Sequence, residues 1–136
     1  IDNKVALNIE LKGANTSDKV NFIMDYYVNE RNWSADNFII SSFNWDELRE
    51  MRRINPTVRI AVLTEGNPVE AIPIAKELDA EAINPYFKKL NLEVANEIRE
   101  AGFKIYTWTV NETEDINSVK RIGVDGIITN YPERVE

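Results

Sequence analysis

The sequence predicts the α/β class, with about six parallel strands and covering helices. Three observations carry that expectation. Short apolar runs alternate with longer amphipathic segments. The centres of successive runs recur at roughly 20 to 33 residues, the length of one strand–helix unit with a short loop on each side. Gly, Pro and Asn punctuate the joints between the two kinds of segment. Alternation of this kind means parallel strands joined by right-handed crossovers.

Residues 4–11 (KVALNIEL) form an apolar-rich run closed by Lys12-Gly13, which reads as a strand and a turn. Residues 16–32 read as a helix. Val20, Phe22, Ile23, Met24, Tyr26 and Tyr27 recur at helical steps, and Thr16 or Ser17 is placed to accept the first free N–H groups. Residues 37–43 (NFIISSF) are a second apolar run, and residues 44–54 a second helix stopped by Asn55-Pro56. The cycle then repeats without a linker. Strand 59–63 (RIAVL) precedes helix 68–78, and the short strand 81–84 precedes helix 91–101, closed by Gly102. Strand 103–110 (FKIYTWTV) precedes helix 111–122, which ends at Gly123, and residues 125–129 (DGIIT) are the last strand. Pro73 falls in the first turns of the third helix and predicts a late start or a bend there.

Strands that are apolar on both faces imply helices over one side and a barrel interior or a second helix layer over the other. A complete (β/α)₈ barrel needs roughly 250 residues. With 136 residues the chain holds a little over half of that.

The chain carries 16 Lys plus Arg against 23 Asp plus Glu, a formal net charge of −7, with no Lys/Arg-rich run. That balance argues against nucleic acid or an anionic bilayer as partner. No apolar stretch reaches the roughly 20 residues of a membrane span, and the opening segment lacks a basic region and a cleavage pattern, so neither a span nor an export signal is expected. An opening at Ile1 in place of Met reads as a processed chain or a piece of a longer one. There is no Cys and no His. The first absence removes disulfides, thiol nucleophiles and Cys-based zinc sites, while leaving the compartment open. The second removes Ser-His and Cys-His triads, the HExxH zinc site and the usual acid–base group near neutral pH.

Working residues in parallel α/β folds gather at the carboxyl ends of strands. Here those positions are Glu10 and Lys12, Ser42 and Phe43, Thr64 and Glu65, Asn84 and Tyr86, Trp108 and Asn111, and Thr129 and Asn130. Glu10 and Lys12 are two apart on one strand and therefore share a face. A carboxylate there is costly to bury unless paired or metal-bound, and a Lys can neutralise it or address a phosphate. Two readings stand: a divalent-cation ligand beside an anion contact, or a structural ion pair. Trp108 reads either as a flat apolar wall for a small ligand or as core. Ser41 and Ser42 have no base to activate them and read as hydrogen-bonding strand ends. Acidic pairs such as Asp46-Glu47 read as solvated charges at helix N-termini.

Taken in order, five segments resemble the carboxyl-terminal portion of the glycerophosphodiester phosphodiesterases, over nearly the whole chain. They are Asn8-Ile9-Glu10-Leu11-Lys12, Ile39-Ile40-Ser41-Ser42-Phe43, Ile83-Asn84-Pro85, Tyr106-Thr107-Trp108-Thr109-Val110-Asn111 and Gly123 to Pro132 (GVDGIITNYP). The resemblance implies that residues 1–136 are a single domain, a partial TIM-type barrel from an enzyme that hydrolyses small-molecule glycerophosphodiesters to an alcohol and glycerol 3-phosphate with a divalent cation, Mg²⁺ or Ca²⁺. By position, Glu10 matches the family's metal-binding Glu, Lys12 its active-site Lys, and Trp108 an aromatic lining the substrate site. The family's first strands supply His-Arg-Gly, Glu-x-Asp and His-Asp motifs that this chain lacks, and Asn130 stands where an Asp is usual. The chain alone is therefore expected to have no catalytic residue, to hold the cation weakly and to be inactive. An opened barrel also leaves two unpaired edges and an apolar inner face, which predicts a homo-oligomer or pairing with a missing amino-terminal half. Two other readings are a non-catalytic binding or assembly module on a half-barrel and a flavodoxin-like or receiver-like regulatory domain. A receiver needs a phosphoacceptor Asp where this chain has Lys12, Phe43, Thr64 and Asn84.

Overall fold

Each apolar run of the sequence becomes a strand and each amphipathic segment the helix that follows it. The computed structural model describes residues 7–12, 16–31, 33–34 and 38–135. The elements are β1 (Leu7–Glu10), α1 (Ser17–Glu30), β2 (Phe38–Ser42), α2 (Trp45–Ile54), β3 (Arg59–Thr64), α3 (Ile72–Glu77), β4 (Ala82–Pro85), α4 (Leu92–Glu100), β5 (Lys104–Thr107), α5 (Thr113–Ile122) and β6 (Gly126–Ile127). Short 3₁₀ turns cover Pro68–Ala71, Phe87–Lys89 and Pro132–Arg134. Residues 4–6 of the expected first strand, the Gly13 turn and the expected element ends at Asn32 and Asn37 lie outside the described residues.

All six strands run parallel in one sheet whose spatial order is the sequence order, β1 through β6. The sheet curls into half of a barrel. The period-two alternation of strand side chains sorts the residues between its faces. On the convex face Phe38, Ile40, Ile60, Val62, Ile83 and Ile105 are at most 1% exposed. They pack against Met24, Leu48, Met51, Ala75, Ala95 and Ile98 of the helices in one continuous core. Each fully buried aliphatic side chain of this kind contributes about 1.5–3 kcal/mol of apolar transfer. On the concave face Ile39, Ala61 and Ala82 make only a small cluster, with Tyr106 against it. The register carries polar groups across that face, with Asn8 beside Ile39 and Glu10 beside Ser41.

Side chains and breakers at the helix ends start and stop the helices, with one exception. Asn44 accepts from Glu47 N at 3.2 Å and Asn91 from Val94 N at 2.8 Å, starting α2 and α4. Gly123 closes α5 at φ +89°, a left-handed conformation that side chains disfavour. Pro73 lies in the first turn of α3, which follows a 3₁₀ turn and so starts late, as Pro73 predicts. The exception is α1. Thr16 occupies its N-cap, and its side chain does not cap the helix. Instead the Glu47 carboxylate reaches over from α2, its Oε1 accepting from Thr16 N and Ser17 N at 2.9 Å each and from Ser17 Oγ at 2.6 Å. Glu47 is therefore not a solvated charge. It is 7% exposed and ties the start of α1 to α2.

The fifth strand is shorter than residues 103–110, because beyond Thr107 the ladder continues only as one bridge between Tyr86 and Trp108. Helix α5 likewise begins at Thr113, since Asn111 is engaged elsewhere. No helix among the described residues is long and apolar enough to cross a membrane.

Candidate functional site

The carboxyl ends of the strands open onto a pocket of about 300 Å³. Its lining includes Asn8, Glu10, Lys12, Ser41, Phe43, Glu65, Trp108 and Ile128. A second cavity of about 260 Å³ shares Asn8 and Ile128 with it and is lined further by Arg59, Asn84, Tyr106 and Gly126. Strand ends build such a site because the polypeptide there leaves the ladder, freeing side chains that are no longer held in the packed sheet.

Hydrogen bonds to β2 set the course of β1. Leu11 N donates to Ser41 O at 2.8 Å and Ser42 Oγ donates to Leu11 O at 2.6 Å. Leu11 is thereby turned into the core, 2% exposed, and its neighbours Glu10 and Lys12 are presented to the pocket. Ser41 Oγ donates to Asn8 Oδ1 at 2.9 Å, and Ser42 Oγ accepts from Asn44 N at 2.9 Å. Both serines hold the strand ends together. Glu10 and Lys12 are exposed and form no ion pair with each other. The structural ion pair allowed by their spacing is therefore absent, and both charged groups are available to a ligand.

Trp108 is half-buried and lines the pocket. Its Nε1–H donates to Asn84 O at 2.8 Å. Tyr86 stacks on it with centroids 5.1 Å apart, and Phe43 meets it edge to face at 5.3 Å. The ring is thus a fixed aromatic wall. Beside it the Asn84 side chain, 1% exposed, leaves Oδ1 without a hydrogen-bond partner.

Sequence reasoning places Tyr86 and Asn111 at strand ends but gives neither a role. Asn111 is a clamp between the last two strands. Its Oδ1 accepts from Thr129 Oγ1 at 3.1 Å and from Asn130 N at 2.9 Å, and its backbone oxygen accepts from Arg134 Nη1 at 2.8 Å. Asp125 is structural too, its Oδ2 accepting from Ile105 N at 2.8 Å. The available signal for both was their place in the ordered Trp-Thr-Val-Asn and Gly-Val-Asp-Gly segments.

Among the described residues no three His, Cys, Asp or Glu side chains gather to hold a metal ion. Glu10 and Glu65 on the pocket lining offer fewer oxygens than the six or so that Mg²⁺ or Ca²⁺ requires. The described residues do not complete a cation site by themselves.

Residues 2–134 match the model of the glycerophosphoryl diester phosphodiesterase family. The chain belongs to that family. It is 31% identical over 138 residues to the glycerophosphodiester phosphodiesterase of Caldanaerobacter subterraneus subsp. tengcongensis, an alignment covering 97% of this chain and 54% of that protein. The glycerophosphodiester phosphodiesterase of Bacillus altitudinis is 27% identical over 135 residues, covering 94% of this chain and 53% of its own length. An Oleispira antarctica phosphodiesterase, solved in complex with the product sn-glycerol-3-phosphate, has the same fold, with a TM-score of 0.79 over 96% of this chain and 53% of that one at 21% identity. This phosphodiesterase-family chain spans about half the length of the curated relatives it matches.

Proposed function

We propose that the chain is the carboxyl-terminal half of the catalytic barrel of a divalent-cation-dependent glycerophosphodiester phosphodiesterase, and that its strand-end pocket receives the phosphodiester. Glu10 contributes one carboxylate to a cation site whose remaining ligands lie outside the described residues. Lys12 places a compact positive charge against the phosphate. Trp108 lines the apolar side of the same pocket. One observation supports this reading above the others: Glu10, Lys12 and Trp108, separated by almost a hundred positions of sequence, line a single pocket.

The chemistry this chain lacks is as definite as what it supplies. A phosphodiester releases an alkoxide, which needs a proton donor that works near neutral pH. With no His in 136 residues, the chain has no such imidazole. The reading therefore makes this half inactive alone and assigns the proton transfers to histidines of a complementary amino-terminal half. That half also covers the concave face and pairs the open edge of β1.

The test is hydrolysis of a glycerophosphodiester with excess Mg²⁺ or Ca²⁺, by the chain alone and by the chain joined to the amino-terminal half of a relative. The expected result is turnover only in the joined barrel. Turnover by the chain alone overturns the division of groups between halves, and a folded joined barrel without turnover overturns the diesterase reading.

A further inference from the structure

A helix that covers a sheet buries one stripe and leaves the opposite one to water, and α1 departs from that pattern. Val20, Met24, Tyr27 and Val28 make its inward stripe, packed on the core. On the far side Phe22 is 74% exposed, and Tyr26, one turn on, is 49% exposed. Among the described residues α2, α3 and α5 expose no large apolar side chain, and α4 exposes Leu92 alone. The place of Phe22 on the helix decides what can reach it. Asn21 Oδ1 accepts from Asn55 Nδ2 at 2.9 Å, so the flank of α1 that carries Asn21 is the one beside α2. Ile23 stands on the other flank, where the helix of a neighbouring strand–helix unit lies in a closed barrel. Phe22 points to neither flank. It is two residues from both Val20 and Met24, which on a helix is the opposite side. A (β/α) barrel carries one ring of helices, so what covers Phe22 comes from outside the barrel.

Charge specifies the occupant. Helices α2, α4 and α5 put acids in the first turn and Arg or Lys in the last, as the helix dipole favours. Helix α1 instead sets Lys19 in its first turn and Glu30 at its end, both on the outward stripe and both against the dipole. Both are exposed, and neither has an ion pair among the described residues. An antiparallel second copy of α1 brings Lys19 opposite the partner's Glu30 at both ends, opposes the two dipoles and lays Phe22 and Tyr26 on the same apolar patch of the partner. A parallel copy sets like charges together. We infer that the outer face of α1 is a two-fold self-association surface, on which α1 packs antiparallel against α1 of a second copy of the chain. A contact of one helix from each copy is at the small, reversible end of interfaces, so the association follows protein concentration. It uses neither the strand-end pocket nor the open strand edges.

Sedimentation equilibrium over a concentration series tests this in the chain and in the joined barrel. Both are expected to pass reversibly from monomer to dimer. Phe22→Ser, at a side chain open to solvent, is expected to weaken dimerisation about ten-fold or more. Lys19→Glu sets two acids opposite each other at both ends and is expected to weaken it about five-fold, and adding Glu30→Lys to restore it to within about two-fold of the parent. The reversed pair is the one the helix dipole favours, so the double variant keeps its fold. Direction is read separately. The chain has no Cys, so in an oxidised mixture of Lys19→Cys and Glu30→Cys chains only the introduced thiols can pair. Mixed disulfide dimers are expected to exceed chance pairing, with same-residue dimers depleted. A monomer at every concentration, a charge reversal that does not recover, or chance-level cross-linking overturns the inference. A dimer that Phe22→Ser leaves unchanged overturns it too and assigns the association to the strand edges. A joined barrel that stays monomeric does the same, because the amino-terminal half then covers Phe22. None of these outcomes bears on the diesterase reading, which is decided by turnover.

Discussion

The two faces of one sheet are built from alternating residues of the same strands, yet they are different materials. The convex face is dry: Ile40, Ile60, Val62, Ile83 and Ile105 are each completely buried under the helices. The concave face carries Asn8, Ser41, Arg59, Asn84 and Tyr106, and two cavities open onto it. The convex side chains belong to one continuous core, whereas Ile39, Ala61 and Ala82 form an island. The difference teaches where stability and chemistry reside. Apolar packing holds the half-barrel together from outside, and the inside, relieved of most of that duty, is free to hold polar groups. Arg59 shows the cost of placing charge there, since its guanidinium is engaged by Glu81, with Nη2 to Oε2 at 2.6 Å.

The sharpest way to break this contrast is to remove volume from the convex face. Ile83→Ala leaves a cavity beneath α3 and α4 and is expected to destabilise the fold by about 2–5 kcal/mol in urea titration. A cost under about 1 kcal/mol would mean that the helices collapse onto the gap and that the outer core is not closely packed. A smaller effect is expected on the concave face at Gly126. A Cβ there would lie 2.7 Å from Tyr106 Cδ1, so the ring must move. Gly126→Ala is expected to cost about 1–3 kcal/mol by the same measurement. Combining it with Tyr106→Leu should recover most of the loss; simple additivity of the two changes would show that the ring contact is not the cause.

Element order and strand direction are legible in the sequence because their signals are local. Ile60 to Leu63 is apolar on both faces, Asn44 and Asn91 cap their own helices, and Gly123 terminates its own. Glu10 and Lys12 are legible as a pair for the same reason, being two residues apart on one strand. What escapes notice depends on contacts distant in sequence. Glu47 looks like any helix N-terminal acid until α1 is packed beside it, 30 positions away. Trp108 is open to two readings in the sequence, wall or core, and its contacts with Phe43 and Tyr86, from two other strand ends, are visible only in the fold. Asn111 has no partner until β6 places Thr129 within reach. Period and capping report a residue's own element, whereas a site is assembled from several elements and has no period.

The smallest expected change in stability comes from the residues with the largest expected effect on chemistry. Glu10→Gln and Lys12→Met alter exposed side chains that make no ion pair with each other and pack into neither apolar cluster of the sheet. Each should leave the unfolding free energy within about 0.5 kcal/mol of the parent chain. In the joined barrel the same changes should depress turnover of a glycerophosphodiester by about a hundred-fold or more, since in the proposed site each removes a charge set against the phosphate or its cation. For Glu10→Gln, the cation concentration needed for half-maximal rate should also rise, whereas Lys12→Met should leave that concentration unchanged, separating a cation ligand from a phosphate contact. Loss of stability in either variant, without a selective effect on turnover, would place the two charges with the packed convex side of the comparison and take the proposed site apart.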